Sequence, residues 1–145
     1  MREQVSQLKA VPLIAAAART TDSTRLWVDR SGYEAVSILL EIGAGGITFD
    51  TTNKVEFVLY ESDASDGTGA TAVAEADLMG VTGSGATGIV KSLIAAHATG
   101  AAYMYGYRGA KRYIGLLADF SGTHGVATPM AASAILGKPR NSPTS

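Results

Sequence analysis

The sequence predicts an all-β domain: an antiparallel β-sandwich, jelly-roll-like, with an extended N-terminal arm and a C-terminal tail. Three observations carry that prediction. Apolar residues alternate with a period of two in several short segments, as in strands with one buried face. Glycine, 17 of the 145 residues, joins Ser, Thr and Asp in turn-forming clusters between those segments. Convincing helical stripes are absent, and much of the apolar content is alanine rather than leucine. The length fits one domain, with neither an internal repeat nor a linker.

The elements follow in order. Residues 1 to about 10 are polar and suit an arm or a short helix. Val11 to Ala18 is apolar; Pro12 argues against a helix interior and for an extended segment, while Ala15 to Ala18 keeps helix open. Arg25 to Asp29 is a short strand and Ser31-Gly32 a turn. Tyr33 to Ile42 places Val36, Ile38, Leu40 and Ile42 on one face. Lys54 to Glu61 turns Val55, Phe57 and Leu59 inward. The stretch 62–71 is a loop, Thr71 to Leu78 a strand or one helical turn, and Gly80 to Gly88 a second loop. Ile89 to Ala96 reads as a strand, and Tyr103, Tyr105 and Tyr107 share a strand face. Arg108 to Lys111 reads as a hairpin turn leading into a strand from Arg112 to Phe120, with Ile114, Leu116, Ala118 and Phe120 on one side. Met130 to Leu136 is the last strand. The organisation expected is an N-terminal arm or first edge strand over 1–20, the sandwich over 21–137 and a tail over 138–145.

Composition narrows the function. Twelve Lys and Arg against 13 Asp and Glu leave no basic excess, so neither nucleic acid nor an anionic membrane is the expected partner. With no Cys there is no disulfide and no thiolate metal site. No apolar run approaches the ~18 residues of a membrane span. The N-terminus has a superficial likeness to a signal peptide. Glu3, Pro12 and the lack of a small-x-small cleavage site favour a product that stays in the cytoplasm where it is made.

An inventory of chemistry leads away from catalysis. His97 and His124 lie in unrelated segments without a second ligand at metal spacing, and no Gly-x-Ser-x-Gly elbow is present. Glu61, Asp63, Asp66 and Gly67 invite calcium, but their spacing departs from the EF-hand loop and a solvated turn is expected. The glycine loops lack a following Lys-Ser/Thr for phosphate. Arg108, Lys111 and Arg112 beside three tyrosines read as a charged hairpin tip meeting an acidic partner rather than as a nucleic-acid platform. The expectation is a binding protein: no enzyme, no cofactor and no metal.

Several stretches, taken in order, resemble a family of small tailed-phage head decoration (capsid cement) proteins. They are Ala17-Ala18-Arg19-Thr20; Val28-Asp29-Arg30-Ser31-Gly32-Tyr33-Glu34-Ala35; Leu59-Tyr60-Glu61-Ser62-Asp63, continued by 74–80; and Gly106-Tyr107-Arg108-Gly109-Ala110-Lys111-Arg112-Tyr113-Ile114, with a closing 136–143. The chain departs from the family pattern in lacking an aromatic residue after the acidic turn, in Gly115 where the family tends to have Arg, and in a longer Gly80–Gly88 loop.

The resemblance implies a protein bound to the outer capsid surface of a virion, with the major capsid protein and itself as partners, as a homotrimer or other homo-oligomer. The expected contact residues are Leu8, Val11, Leu13, Ile14 and Arg19 of the arm; Trp27; Arg108, Lys111 and Arg112; and Lys138, Pro139 and Arg140. The arm is expected to lie on a neighbour and to be dispensable for folding. The alternatives are another virion component (tail tube, tail terminator or head completion) and a jelly-roll carbohydrate-binding module using Tyr103, Tyr105 and Tyr107.

Overall fold

A computed structural model of the chain describes residues 4–81 and 87–140. Ten strands are found there: β1 (Lys9–Arg19), β2 (Val28–Asp29), β3 (Tyr33–Ile42), β4 (Lys54–Ser62), β5 (Thr71–Ala72), β6 (Leu78–Met79), β7 (Ile89–Leu93), β8 (Ala101–Tyr107), β9 (Tyr113–Ser121) and β10 (Thr128–Pro139). Single 3-10 turns occupy Val5–Gln7 and Glu75–Asp77. One sheet has the order β1-β10-β3-β8-β6. The other runs β2-β9-β4, with β5 and β7 sharing the far side of β4. Every pairing is antiparallel. The result is the predicted all-β sandwich.

Among successive strands only β4 and β5 are neighbours in one sheet; every other link crosses to the opposite sheet. This corrects the reading of Arg108 to Lys111 as a hairpin. β8 pairs with β3 and β6, whereas β9 pairs with β2 and β4. Small and polar residues between two strands suit a tight hairpin and a sheet-to-sheet corner equally, and long-range pairing decides between them.

The period-two pattern becomes the core. Val36, Ile38, Leu40 and Ile42 of β3 join Met130, Ala132, Ala134 and Leu136 of β10 on the inner side of the first sheet. Val55, Phe57 and Leu59 of β4 join Ile114, Leu116 and Ala118 of β9 on the second. Each large side chain so buried contributes about 1.5–3 kcal/mol.

Of the two expectations for 1–20, residues 9–19 form the edge strand and not a free arm. Pro12 fits there because an edge strand can spare one N–H. The β1–β10 register slips between Pro12 and Ile14 and again between Ile14 and Ala17. A regular strand would send Leu13 and Ile14 to opposite faces. At the bulge both turn inward, with 0% and 1% of their surface exposed. Leu13 and Ile14, expected to contact a neighbour, are therefore core residues, and the segment is not dispensable. The last strand likewise runs past Leu136 to Pro139. Residues 141–145, and 82–86 of the glycine loop, lie outside the described residues.

At the far end of β1, Arg19 faces Thr128 across the β1–β10 ladder. Arg19 Nε, Thr128 Oγ1 and His124 Nδ1 are buried without a hydrogen-bond partner among the described residues. Two stability outcomes follow. Leu13→Ala should cost about 2–5 kcal/mol in urea unfolding, and deletion of residues 1–20 should leave no cooperative transition. Thr128→Val keeps the shape of a fully buried side chain and removes its unpaired hydroxyl, so it should raise stability by about 1 kcal/mol.

Candidate functional site

One end of the sandwich is heavily braced. The corner between β8 and β9 leaves the sheet ladders, so its carbonyls need other donors. Arg30 supplies them: its guanidinium donates to the carbonyls of Gly109 (2.8 Å) and Lys111, and its backbone N–H donates to Arg112 O (3.0 Å). Tyr107, on the inner side of β8, donates its hydroxyl proton to Glu61 Oε2 (2.6 Å) and accepts from Lys111 N (3.2 Å). Lys111 pairs with Asp63, and Arg112 grips Asp29 with two hydrogen bonds (3.0 and 2.8 Å). Arg108 donates Nε to Ala76 O (2.8 Å) and its N–H to Asp77 O (2.9 Å). Arg140 N donates to Gly32 O (2.8 Å).

The electrostatics follow the geometry. The Arg112 guanidinium holds the Asp29 carboxyl well below the ordinary carboxylate range. Burial, and then the Glu61 carboxylate, push the Tyr107 phenol up. Hydrogen bonding to Asp63 raises Lys111. Beside this network lies a pocket of about 180 Å³ lined by Arg30, Ser31, Tyr33, Ala110, Arg112 and Arg140. Arg30 and Arg112 are already engaged. The Arg140 guanidinium has no partner among the described residues, so it can take a carboxylate from outside.

Trp27 is neither core nor a free anchor. It lies against Gly115, on the outer side of β9, where an added Cβ would stand 3.1 Å from the indole. On its other side Gly67, at φ +81°, comes so close that any side chain would overlap the ring. The Arg25 guanidinium stacks 5.4 Å from Trp27 and 4.4 Å from Tyr60. The acidic turn is thus an ordered flap over Trp27. Within it Ser62 Oγ donates to Thr68 O (2.8 Å) and Asp66 accepts from Thr68 N (2.9 Å).

The two sheets differ sharply outside. The outer side of the second carries Lys54, Glu56 and Asp119 in neighbouring positions, with a 2.8 Å ion pair between the first two. The outer side of the first is read from its register. Ser133, Leu39 and Met104 form one row; Ile135, Ser37, Gly106 and Met79 a second; Ala131, Glu41 and Ala102 a third. Glu41 is the one ionisable residue in these rows. Met104 and Met79 are 56% and 53% exposed. Among the described residues this face carries three hollows of note. The largest, about 620 Å³, is floored by Gly43, Gly100, Ala102 and Ala131. One of about 450 Å³ runs beside Met79, Met104 and Gly106. The third, of about 260 Å³, lies between Leu8, Ile135 and Lys138.

The expected contact residues therefore scatter. Arg108, Lys111, Arg112, Pro139 and Arg140 gather at the braced end. Lys138 and Leu8, the latter packed on Gly137, sit on the rim of the first sheet's outer face. Val11 packs on the core, and Arg19 bonds Ala15 O (3.1 Å) at the opposite end. Tyr105 and Tyr107 are buried and Tyr103 is packed against the core, which removes the aromatic stripe proposed for a carbohydrate. His97 sits between Gly43 O and Tyr103 OH (both 3.2 Å); His124 meets Ser121 O (2.9 Å) and the edge of Phe120. Sequence reasoning missed the outer face made by Leu39, Met79, Met104 and Ile135. Its signal was present: apart from Glu41, the outward positions of β3, β8 and β10 in these rows lack the charges that Lys54 and Glu56 give to β4.

A scan against protein-family models and a search of curated protein sequences return no match for the chain.

Two substitutions probe the braced end. Tyr107→Phe strands the Lys111 N–H and the Glu61 carboxylate and should lower unfolding stability by about 1–3 kcal/mol. Asp29→Asn has a pH signature. Asp29 is depressed in the folded state, so its contribution is present above the ordinary aspartate value of about 3.9 and fades as pH falls through the folded one. The variant should melt below the parent at pH 7 and approach it at pH 3 and below.

Proposed function

We propose that this chain is a structural virion protein that binds the outer surface of a phage capsid and stabilises the major capsid protein lattice. The observation that supports the reading best is the convergence at the braced end. Residues 28–35, 59–63, 74–80 and 106–114, which resemble the decoration family, meet there and are tied to Arg140 of the closing stretch. Stretches far apart in sequence that assemble one rigid surface make a unit suited to recognition. A rigid scaffold also limits the ordering cost of binding.

In this reading the protein docks by the braced end. Arg140, beside the Arg30 and Arg112 guanidiniums, receives a carboxylate from the capsid surface. Binding only to the assembled lattice stabilises it by mass action, and many symmetric copies add avidity. Quantitative mass spectrometry of purified virions tests the role. A copy number comparable to that of the major capsid protein, or about a third of it, is the expected result. A few copies per particle would move the protein to the neck or tail, and absence would refute the reading. Arg140→Ala should weaken binding to isolated heads about tenfold or more and flatten its salt dependence, with the fold unchanged.

A further inference from the structure

We propose that the outer face of the first sheet is a self-association surface that packs on the same face of a second copy about a two-fold axis. The proposal stands on that face alone and does not depend on the capsid reading.

The first argument is composition. An antiparallel sheet with one solvated face ordinarily alternates apolar inside with polar outside. Here both faces are apolar. Leu39, Met79, Met104 and Ile135 stand outward among Ala, Ser and Gly, with Glu41 as the one charge in the rows. The outer side of the sheet across the core, by contrast, carries the three charged residues Lys54, Glu56 and Asp119 beside Val58, Tyr60 and Leu117.

The second argument is area. At a strand spacing of about 4.8 Å and a rise of about 3.4 Å per residue, about seven residues of β1, β10, β3 and β8 together with the two-residue β6 give roughly 500 Å² per copy. A pair then buries roughly 1,000 Å², which reaches the size that a specific interface needs.

The third argument is self-complementarity, which selects a second copy of this chain as the occupant. The two ends of the face differ. At one end Glu41 borders the 620 Å³ hollow and has no ion-pair partner among the described residues; no Lys or Arg lines that hollow. At the other end Lys138 lines the groove with Leu8 and Ile135, also without an ion-pair partner among the described residues. It sits just past Gly137, and its φ of 51° interrupts the regular pleat there. On the neighbouring groove Glu34 and Arg108 are both present, and Arg108 is held by the carbonyls of Ala76 and Asp77. A two-fold axis lying between the faces and running across the strands reverses the ends of the partner. It sets Glu41 of each copy against Lys138 of the other, twice. One contact patch thereby satisfies itself, as an isologous interface must.

The test is the mass in solution of the full chain, by sedimentation velocity and light scattering at tens of micromolar. The wild type should be a dimer, and Met104→Asp a monomer with an unchanged circular dichroism spectrum and melting temperature. Glu41→Lys and Lys138→Glu should each weaken the dimer about tenfold or more, and the double variant should recover it, because both cross-contacts are restored with opposite sign. The charge variants decide the matter should Met104→Asp fail to fold. A wild-type monomer, a trimer, a folded Met104→Asp that remains dimeric, or charge variants without rescue would each overturn the proposal. A wild-type monomer whose Met104→Asp variant loses binding to heads would assign the face to the capsid instead.

Discussion

The structure depends on the interlocking of two inner faces by a chain that changes sheet at almost every link. Ile38, Leu40 and Ile42 on one side and Phe57, Leu59, Ile114 and Leu116 on the other belong to one core. Because successive strands fall in opposite sheets, no sheet can form from a local segment of chain. β1 must find β10 more than a hundred residues away, and β3 must find both β10 and β8. Stability is correspondingly global. This is why an N-terminal segment that looks like an appendage contributes Leu13 and Ile14 to the centre.

A core closed by sheet-to-sheet links needs its corners fixed, since a corner has no ladder of its own. The braced end answers that need with side chains. Arg30 satisfies the carbonyls of the β8–β9 corner, Tyr107 links β8 to β4 through Glu61, and Arg112 ties β9 to β2 through Asp29. The ion pairs at this end, Arg112–Asp29 and Lys111–Asp63, are exposed and individually weak. Their effect is geometric: they hold four chain segments in one relative position. The same rigidity that closes the fold presents Arg140 and its neighbours as a fixed surface.

What the sequence disclosed and what it withheld divide along this line. β3 was legible to the residue, because period-two burial is a local signal and nothing in Tyr33 to Ile42 competes with it. β1 was half legible: Pro12 excluded a helix interior, but the bulge that buries Leu13 and Ile14 together is set by the register on β10. The Arg108–Lys111 corner was misread because hairpins and crossings share turn chemistry. Trp27, expected as a contact residue, was not placed by the sequence, since its position depends on Gly67 and Gly115, which approach from two distant segments. The segments of the braced end stood out in the sequence as a set of motifs in order; their convergence needed the three-dimensional path.

The alanine and glycine content then acquires a physical reason beyond turns. Ala132 and Ala134 face inward from β10 and let the layers approach without overfilling the core. Ala131, Ala102 and Gly106 face outward on the same sheet, where small side chains have no such duty. An outward position facing only water favours a charged or polar residue. Small apolar residues there lower the surface into hollows beside Leu39 and Met104, and raised side chains next to hollows are the relief that lets one sheet seat on another. A sheet apolar on both sides is a middle layer, and in this chain only one of its two covers is intramolecular.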